Sequence, residues 1–354
     1  MNFLFKKISS PHGGGGRLGT YLFLASFTYL SIEQIDSLIL VPPEEIITST
    51  LEDHYSTKDL PNLDSQTPEK SMQLTQGIIL GSIFAELGNN FFQVATTLAF
   101  AWDHHSTAYF PELVDRLDCP YNPKNVPLNY SHVFFRCNIA RPEKSIEYEW
   151  EEPSYAYHII PYHRSMRLKG YFQSEKYFIH HRTRLLDFFA PGAEDLSYLQ
   201  SSYKFILEHP CTVGIQMRWQ YEDPSGKMYI QYGEDYLKKI MKYFPEDALY
   251  VVSSNNMQFV RENIPPEMKN VFFIEHEPHY IDFFLLSLCK HNVITNSTFG
   301  WWSAWLNQNP NQIVIAPAQW YHPNCTLPTQ DLLPSRWIKV QSKWGALEDP
   351  NSYR

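Results

Sequence analysis

From Cys211 onward the chain alternates regularly between short apolar runs and longer amphipathic ones. That rhythm constrains the fold more than any other feature. Thr212 to Met217 (TVGIQM), Ala248 to Ser253 (ALYVVS), Val271 to Glu275 (VFFIE), Val293 to Thr295 and Gln312 to Ala316 (QIVIA) read as strands. Helical patterns separate them at Tyr236 to Phe244, Met257 to Asn263 and Ile281 to Lys290. A further helix follows Asn296-Ser297-Thr298 and carries Trp301, Trp302 and Trp305. Strands alternating with helices predict a parallel sheet joined by right-handed crossovers, hence an α/β fold.

In such a sheet, ligands sit beyond the carboxyl ends of the strands, near a topological switch. The residues just past those ends are Arg218, Ser253 to Asn255, Glu275 with His276, and Asn296 to Thr298. One fixed cation, several hydrogen-bonding groups and a helix start therefore converge on one rim. The hydroxyls of Ser297 and Thr298 can cap that helix. Its N-terminus is equally a seat for a phosphate. The pattern suits an anionic, sugar- or nucleotide-like ligand.

A second β-α unit precedes this region. Gly77 to Ile83 (GIILGSI) reads as a strand. The Gly88-Asn89-Asn90 turn then opens a helix from Phe91, with Gly88 permitting a tight turn and close approach of the backbone to a ligand. Lacking GxGxxG and a P-loop lysine, it is a weak phosphate loop. Asn89 and Gln93 either line a cleft or satisfy backbone groups. At 354 residues the chain can hold two domains with substantial cores, and 44% hydrophobic with 16% aromatic residues excludes disorder. A net charge of −9 argues against broad nucleic-acid binding. Five scattered cysteines without CxxC spacing argue against both a disulfide framework and a zinc site. Asp103-His104-His105 and His180-His181 are read as surface or satisfied groups, because neighbours on a helix point apart and no third ligand is evident.

Four segments, in order, resemble the α-1,2-fucosyltransferases. ELGNNFFQVA (86–95) is similar to that family's GLGNQMFQYA, and GYFQSEKYF (170–178) to its middle segment. VGIQMRWQYED (213–223) stands where the family has VGVHVRRGDY. FFLLSLCKHNVITNSTFGWWSAWLN, followed by QIVIAPAQWY, is similar to its C-terminal block. The resemblance covers about three quarters of the chain, Gly77 to Trp337.

It implies two Rossmann-like domains in the B-type glycosyltransferase architecture. Residues 1–76 would form an extension and linker, 77–205 the acceptor-side domain, and 206–345 the domain binding the GDP-sugar. It also implies inverting, metal-independent transfer of fucose from GDP-fucose to the 2-hydroxyl of a terminal galactose on a glycan. GDP-fucose is then a co-substrate and no cofactor is needed, in keeping with the absence of a DxD-type Asp pair. Arg218 matches the first motif arginine and would stabilise the charge growing on the departing diphosphate. Gln216, Asp282, Asn296, Ser297 and Thr298 would complete the donor site, with Asp282 reading guanine N–H groups. Asn89 and Gln93 would lie on the acceptor side.

The donor motif departs from the family. Its His is Gln216, its second Arg is Trp219, and its Gly-Asp is Gln220-Tyr221, with Glu222 and Asp223 nearby as acids. A non-catalytic sugar-nucleotide or glycan-binding protein on the same fold is the competing reading. The apolar run Tyr21 to Leu30 is too short to span a bilayer and reads as a buried helix, leaving open a peripheral contact with a membrane. A glycosylation sequon at Asn296, inside the donor site, points to a cytoplasmic enzyme, with peripheral attachment at an inner membrane left open.

Overall fold

The computed structural model describes residues 76–117, 130–220 and 228–342. The N-terminal extension, the apolar run at 21–30 and the acids Glu222 and Asp223 lie outside them.

Two parallel sheets organise the described chain. The first has four strands: β1 (Ile78–Gly81), β2 (Thr107–Tyr109), β3 (Tyr148–Glu151) and β4 (Ser165–Lys169), in the order β2-β1-β4-β3. Helix α1 (Leu87–Asp103) crosses from β1 to β2. It begins four residues before the Phe91 expected from sequence, because Gly88, Asn89 and Asn90 already lie inside it. After β4 come α2 (Arg182–Phe188) and α3 (Ala193–Ser202).

The second sheet has six strands: β5 (Thr212–Met217), β6 (Leu249–Ser254), β7 (Val271–Phe273), β8 (His291–Ile294), β9 (Val314–Pro317) and β10 (Ile338–Val340). The helices between them are α4 (Glu234–Met241), α5 (Met257–Asn263), α6 (His279–Leu288) and α7 (Thr298–Trp305). Its order, β10-β9-β8-β5-β6-β7, is that of the dinucleotide-binding doubly wound fold. The chain reverses direction across the sheet between β5 and β8, so the switch point lies at Gln216, paired with Ser253 on one side and Ile294 on the other. The alternation predicted every strand of this sheet except β10. That edge strand is three residues long and has too little periodicity to stand out.

An aromatic core joins helices from both sheets. Phe91 of α1 stacks on Phe283 of α6 at 4.7 Å and on Trp302 of α7 at 5.2 Å. Phe92 meets Trp301 at 4.5 Å, and Phe178 stacks on Trp302 at 5.2 Å. Trp301, Trp302 and Trp305 are buried, so they are core residues rather than sugar platforms. Such rings bury large areas and add about 0.5–1.5 kcal/mol per well-placed pair. This is the physical reason for the paired aromatics in NNFFQ and FGWW. The four described cysteines are free.

Candidate donor site at the switch point

The rim beyond β5, β6 and β8 is built by backbone register. Past Gln216 and Met217, the Arg218 N–H donates to Thr295 Oγ1 (2.9 Å), and the Thr295 N–H donates to the Gln216 carbonyl (3.1 Å). Gln231 holds the segment from below, donating Nε2–H to the Arg218 carbonyl (3.1 Å) and accepting the Gln220 N–H (3.0 Å). Asn255 clasps Trp219, accepting its N–H (2.7 Å) and donating to its carbonyl (2.9 Å). The Trp219 ring lies 4.7 Å from Phe259. The departures at Trp219 and Gln220 are thus packed and hydrogen-bonded, and the Arg218 backbone is fixed in place. Sequence reading did not single out Gln231, because an isolated polar residue in a loop carries no period.

Gln216 is 5% exposed, and its buried Oε1 has no hydrogen-bond partner. A Cβ on Gly300, in the first turn of α7, would come within 2.9 Å of that oxygen. The Gln216 carbonyl group therefore sits beside the start of α7. A buried acceptor left without a donor costs on the order of 1–3 kcal/mol, so an incoming hydroxyl or N–H would be favoured there.

Ser297 occupies the N-cap position of α7, but its side chain makes no capping bond, so of the two roles left open by the sequence the capping one is not taken. The tight Ser297 N–H to Thr295 carbonyl bond (2.8 Å) shapes the turn instead. The first-turn N–H groups are left without a side-chain cap and are suited to an anion. Thr298 begins the helix and is half-buried. The first turn of α1 abuts it: a Cβ on Gly88 would lie 2.5 Å from both the Thr298 carbonyl carbon and the Phe299 nitrogen. Two helix N-termini, each with a positive dipole end, therefore meet at this rim.

Asp282 lies in the first turn of α6 and accepts the Ser253 Oγ–H bond at 2.6 Å. Burial raises its pKa to about 7, with the Ser253 bond opposing and Glu277 adding to the rise. Pro278, not Asp282, is the N-cap of α6.

Other candidates take structural roles. Asn296 is 4% exposed; it donates to the Ile230 and Trp320 carbonyls (2.9 and 3.0 Å), and its Oδ1 accepts from Gln220 (3.0 Å). Its amide is spent on the protein, so it shapes the rim rather than facing a ligand, and burial bars a glycan. Gln93 is fully buried; it accepts the Phe84 N–H (3.1 Å) and donates to the Gly170 carbonyl (3.3 Å). Those bonds satisfy backbone groups, so Gln93 lines no cleft. Asn89 is half-buried, its Oδ1 accepting from Gln173 (2.7 Å). Glu275 is ion-paired with Arg261 at 2.7 Å.

His104 stacks on Tyr162 at 4.1 Å and takes no part in an Asp103 cluster. His180 and His181, by contrast, both reach Asp103, at 2.9 and 2.7 Å. The partner that the sequence did not show for these histidines is thus supplied by the far end of α1. The histidines sit on a 3-10 turn rather than an α-helix.

Two parallel sheets, the second with its ligand rim at a switch point, define a B-type glycosyltransferase architecture. The chain belongs to glycosyl transferase family 11, whose pattern it matches over residues 83–341. It is 27% identical to an Escherichia coli alpha-1,2-colitosyltransferase over 185 residues, covering 50% of this chain and 63% of that protein, less than two thirds of its length. It is 26% identical to the Sus scrofa galactoside alpha-(1,2)-fucosyltransferase 1 over 337 residues, covering 89% of this chain and 87% of that protein. Among solved structures, an Arabidopsis thaliana FUT1 variant in complex with GDP aligns at 16% identity, covering 77% of this chain and 79% of that one, with a TM-score of 0.43. Among the described residues, no helix is long and apolar enough to cross a membrane.

Proposed function

We propose that this chain transfers fucose from GDP-fucose to the 2-hydroxyl of a terminal galactose on a glycan, with inversion and without a metal at the diphosphate. One observation carries the reading. An uncapped helix N-terminus and the unpartnered side-chain oxygen Oε1 of buried Gln216 stand together at the switch point, two residues before Arg218. The α7 N–H groups suit the diphosphate, and Arg218 would counter the charge that grows on it as the glycosidic bond breaks. Gln216 Oε1 would accept from a donor hydroxyl, and Asp282 from guanine N–H groups. Family membership supports the fucosyl chemistry. The relative named for colitose makes the donor sugar a variable to test.

The competing reading is a glycan- or nucleotide-binding protein without turnover. Trp219 favours it: an arginine in the family motif is replaced by a ring packed on Phe259. Titration with GDP, followed by turnover of GDP-fucose over a galactose-ended glycan panel with and without EDTA, tests both. Turnover that survives EDTA is expected. Binding without turnover or hydrolysis would favour the second reading, and absence of guanine-nucleotide binding would remove both.

A further inference from the structure

The C-terminal end of α1 carries a cluster that the donor site does not use. Asp103 closes the helix, and His180 and His181 approach it from a 3-10 turn 77 and 78 residues further on. His180 Nε2 lies 3.1 and 2.9 Å from the two Asp103 oxygens, and His181 Nε2 lies 2.7 Å from Oδ1. One oxygen and two ring nitrogens thus stand within 4.8 Å of one another. Four-coordinate zinc spaces its ligand atoms about 3.3–3.6 Å apart, given metal–ligand distances of roughly 2.0–2.2 Å, so small rotations suffice. The helix C-terminus adds negative partial charge, which favours a cation there. The ring of Trp102 packs edge-on against His181 at 5.2 Å. The guanidinium of Arg184 lies over that ring at 3.8 Å.

We propose that Asp103, His180 and His181 form a binding site for a late first-row divalent cation, zinc above all, with water at the fourth position. The imidazoles suit zinc or copper better than magnesium or calcium, which prefer all-oxygen shells. Each histidine binds through Nε2 with its proton on Nδ1, and protons displaced from Nε2 pass to solvent. Since α1 is 17 residues long, the cluster stands about 24 Å along the helix from the Gly88 end. The metal therefore clamps the turn after GYFQSEKYF to α1 and takes no part at the diphosphate. This holds whether or not the protein turns over GDP-fucose.

Chelator-stripped full-length protein, titrated with zinc in a calorimeter, should bind one ion that is lost on Asp103→Asn and on the His180→Gln/His181→Gln double change. Affinity should fall at least as much as the roughly 10–100-fold seen when outer-shell partners of a metal are removed. Cobalt should give the ligand-field absorption of a four-coordinate site, absent from both variants. In wild-type protein, which needs no variant to fold, zinc should protect His180 and His181 from diethylpyrocarbonate, read by mass spectrometry. Zinc binding that is unchanged in the variants, or histidines labelled equally with and without zinc, would overturn the proposal.

Discussion

Gly88 and Thr298 lie so close that no side chain fits between them: a Cβ on Gly88 would overlap the Thr298 hydroxyl and stand 2.5 Å from the Thr298 carbonyl carbon. The two residues lie in the first turns of the helices that meet at this rim, one after β1 and one after β8. The contact sets how near the α1 and α7 N-termini can come. Gly88 is therefore needed for close approach to another helix.

Gly88→Ala measures that contact. In an exposed helix the change would gain up to about 1 kcal/mol in propensity. Here the new methyl meets backbone, and overpacking of this kind costs about 1–3 kcal/mol. The clash outweighs the propensity gain, so net destabilisation is expected in denaturant unfolding, together with weaker GDP binding. A variant as stable as wild type would show that the helices separate freely.

Asp282 ties stability to pH, and under the proposed base-reading role it ties nucleotide affinity to pH in the opposite sense. Its folded pKa of about 7 lies above the ordinary 3.8. Its contribution to stability is thus full below about pH 4 and is lost as pH rises through 7, a change on the order of 4 kcal/mol. Asp282→Asn should raise the melting temperature of the nucleotide-free protein at pH 8 and change it little at pH 4. If the ionised carboxylate accepts guanine N–H groups, GDP affinity should rise about 10-fold between pH 6 and 8. The rise should vanish in Asp282→Asn, and a wild-type profile parallel to that of the variant would remove Asp282 from the base-reading role.

Asn296 is the knot of the rim. Asn296→Ala strands the Ile230 and Trp320 carbonyls and leaves Gln220 only its bond to the residue 296 backbone carbonyl, and buried polar groups left unpaired cost about 1–3 kcal/mol each. The variant should unfold several degrees earlier, with GDP binding weakened through the displaced loop. Asn296→Asp should be nearly as damaging, because a carboxylate cannot donate to either carbonyl. Unchanged unfolding in both would refute the assignment.

The parallel sheet was legible because buried strands and amphipathic helices write different periods into the chain. The family resemblance then named Arg218, Gln216 and Asp282 as candidate donor contacts. What stayed illegible depends on contacts distant in sequence. Asn296 looks the same from its neighbours whether it faces a ligand or the Trp320 carbonyl. Gln93 cannot be placed without knowing that Gly170 returns to it. The pairing of His180 and His181 with Asp103 failed to show because an α-helical spacing rule was applied to a 3-10 turn. The start of α7 was left open between a capped helix and a phosphate seat, because Ser297 has the right residue type for a cap whether or not it makes the bond.

Arg218 gives the most direct test of the donor assignment. Its backbone is held at both ends, by Thr295 and by Gln231, so a side-chain substitution should leave the rim in place. With Trp219 packed on Phe259, Arg218 is the motif arginine proposed to meet the diphosphate. Arg218→Ala should lower GDP affinity and turnover together, with loss of one charge-assisted contact costing about 1.5–3 kcal/mol, or roughly 10- to 150-fold. Arg218→Lys should restore only part of this, because a point charge cannot make the paired planar contacts of a guanidinium. Calorimetry and thermal unfolding read the two consequences separately. If Arg218→Ala binds GDP as wild type does, at an unchanged melting temperature, the diphosphate lies elsewhere and the rim beyond β5 is not the donor site.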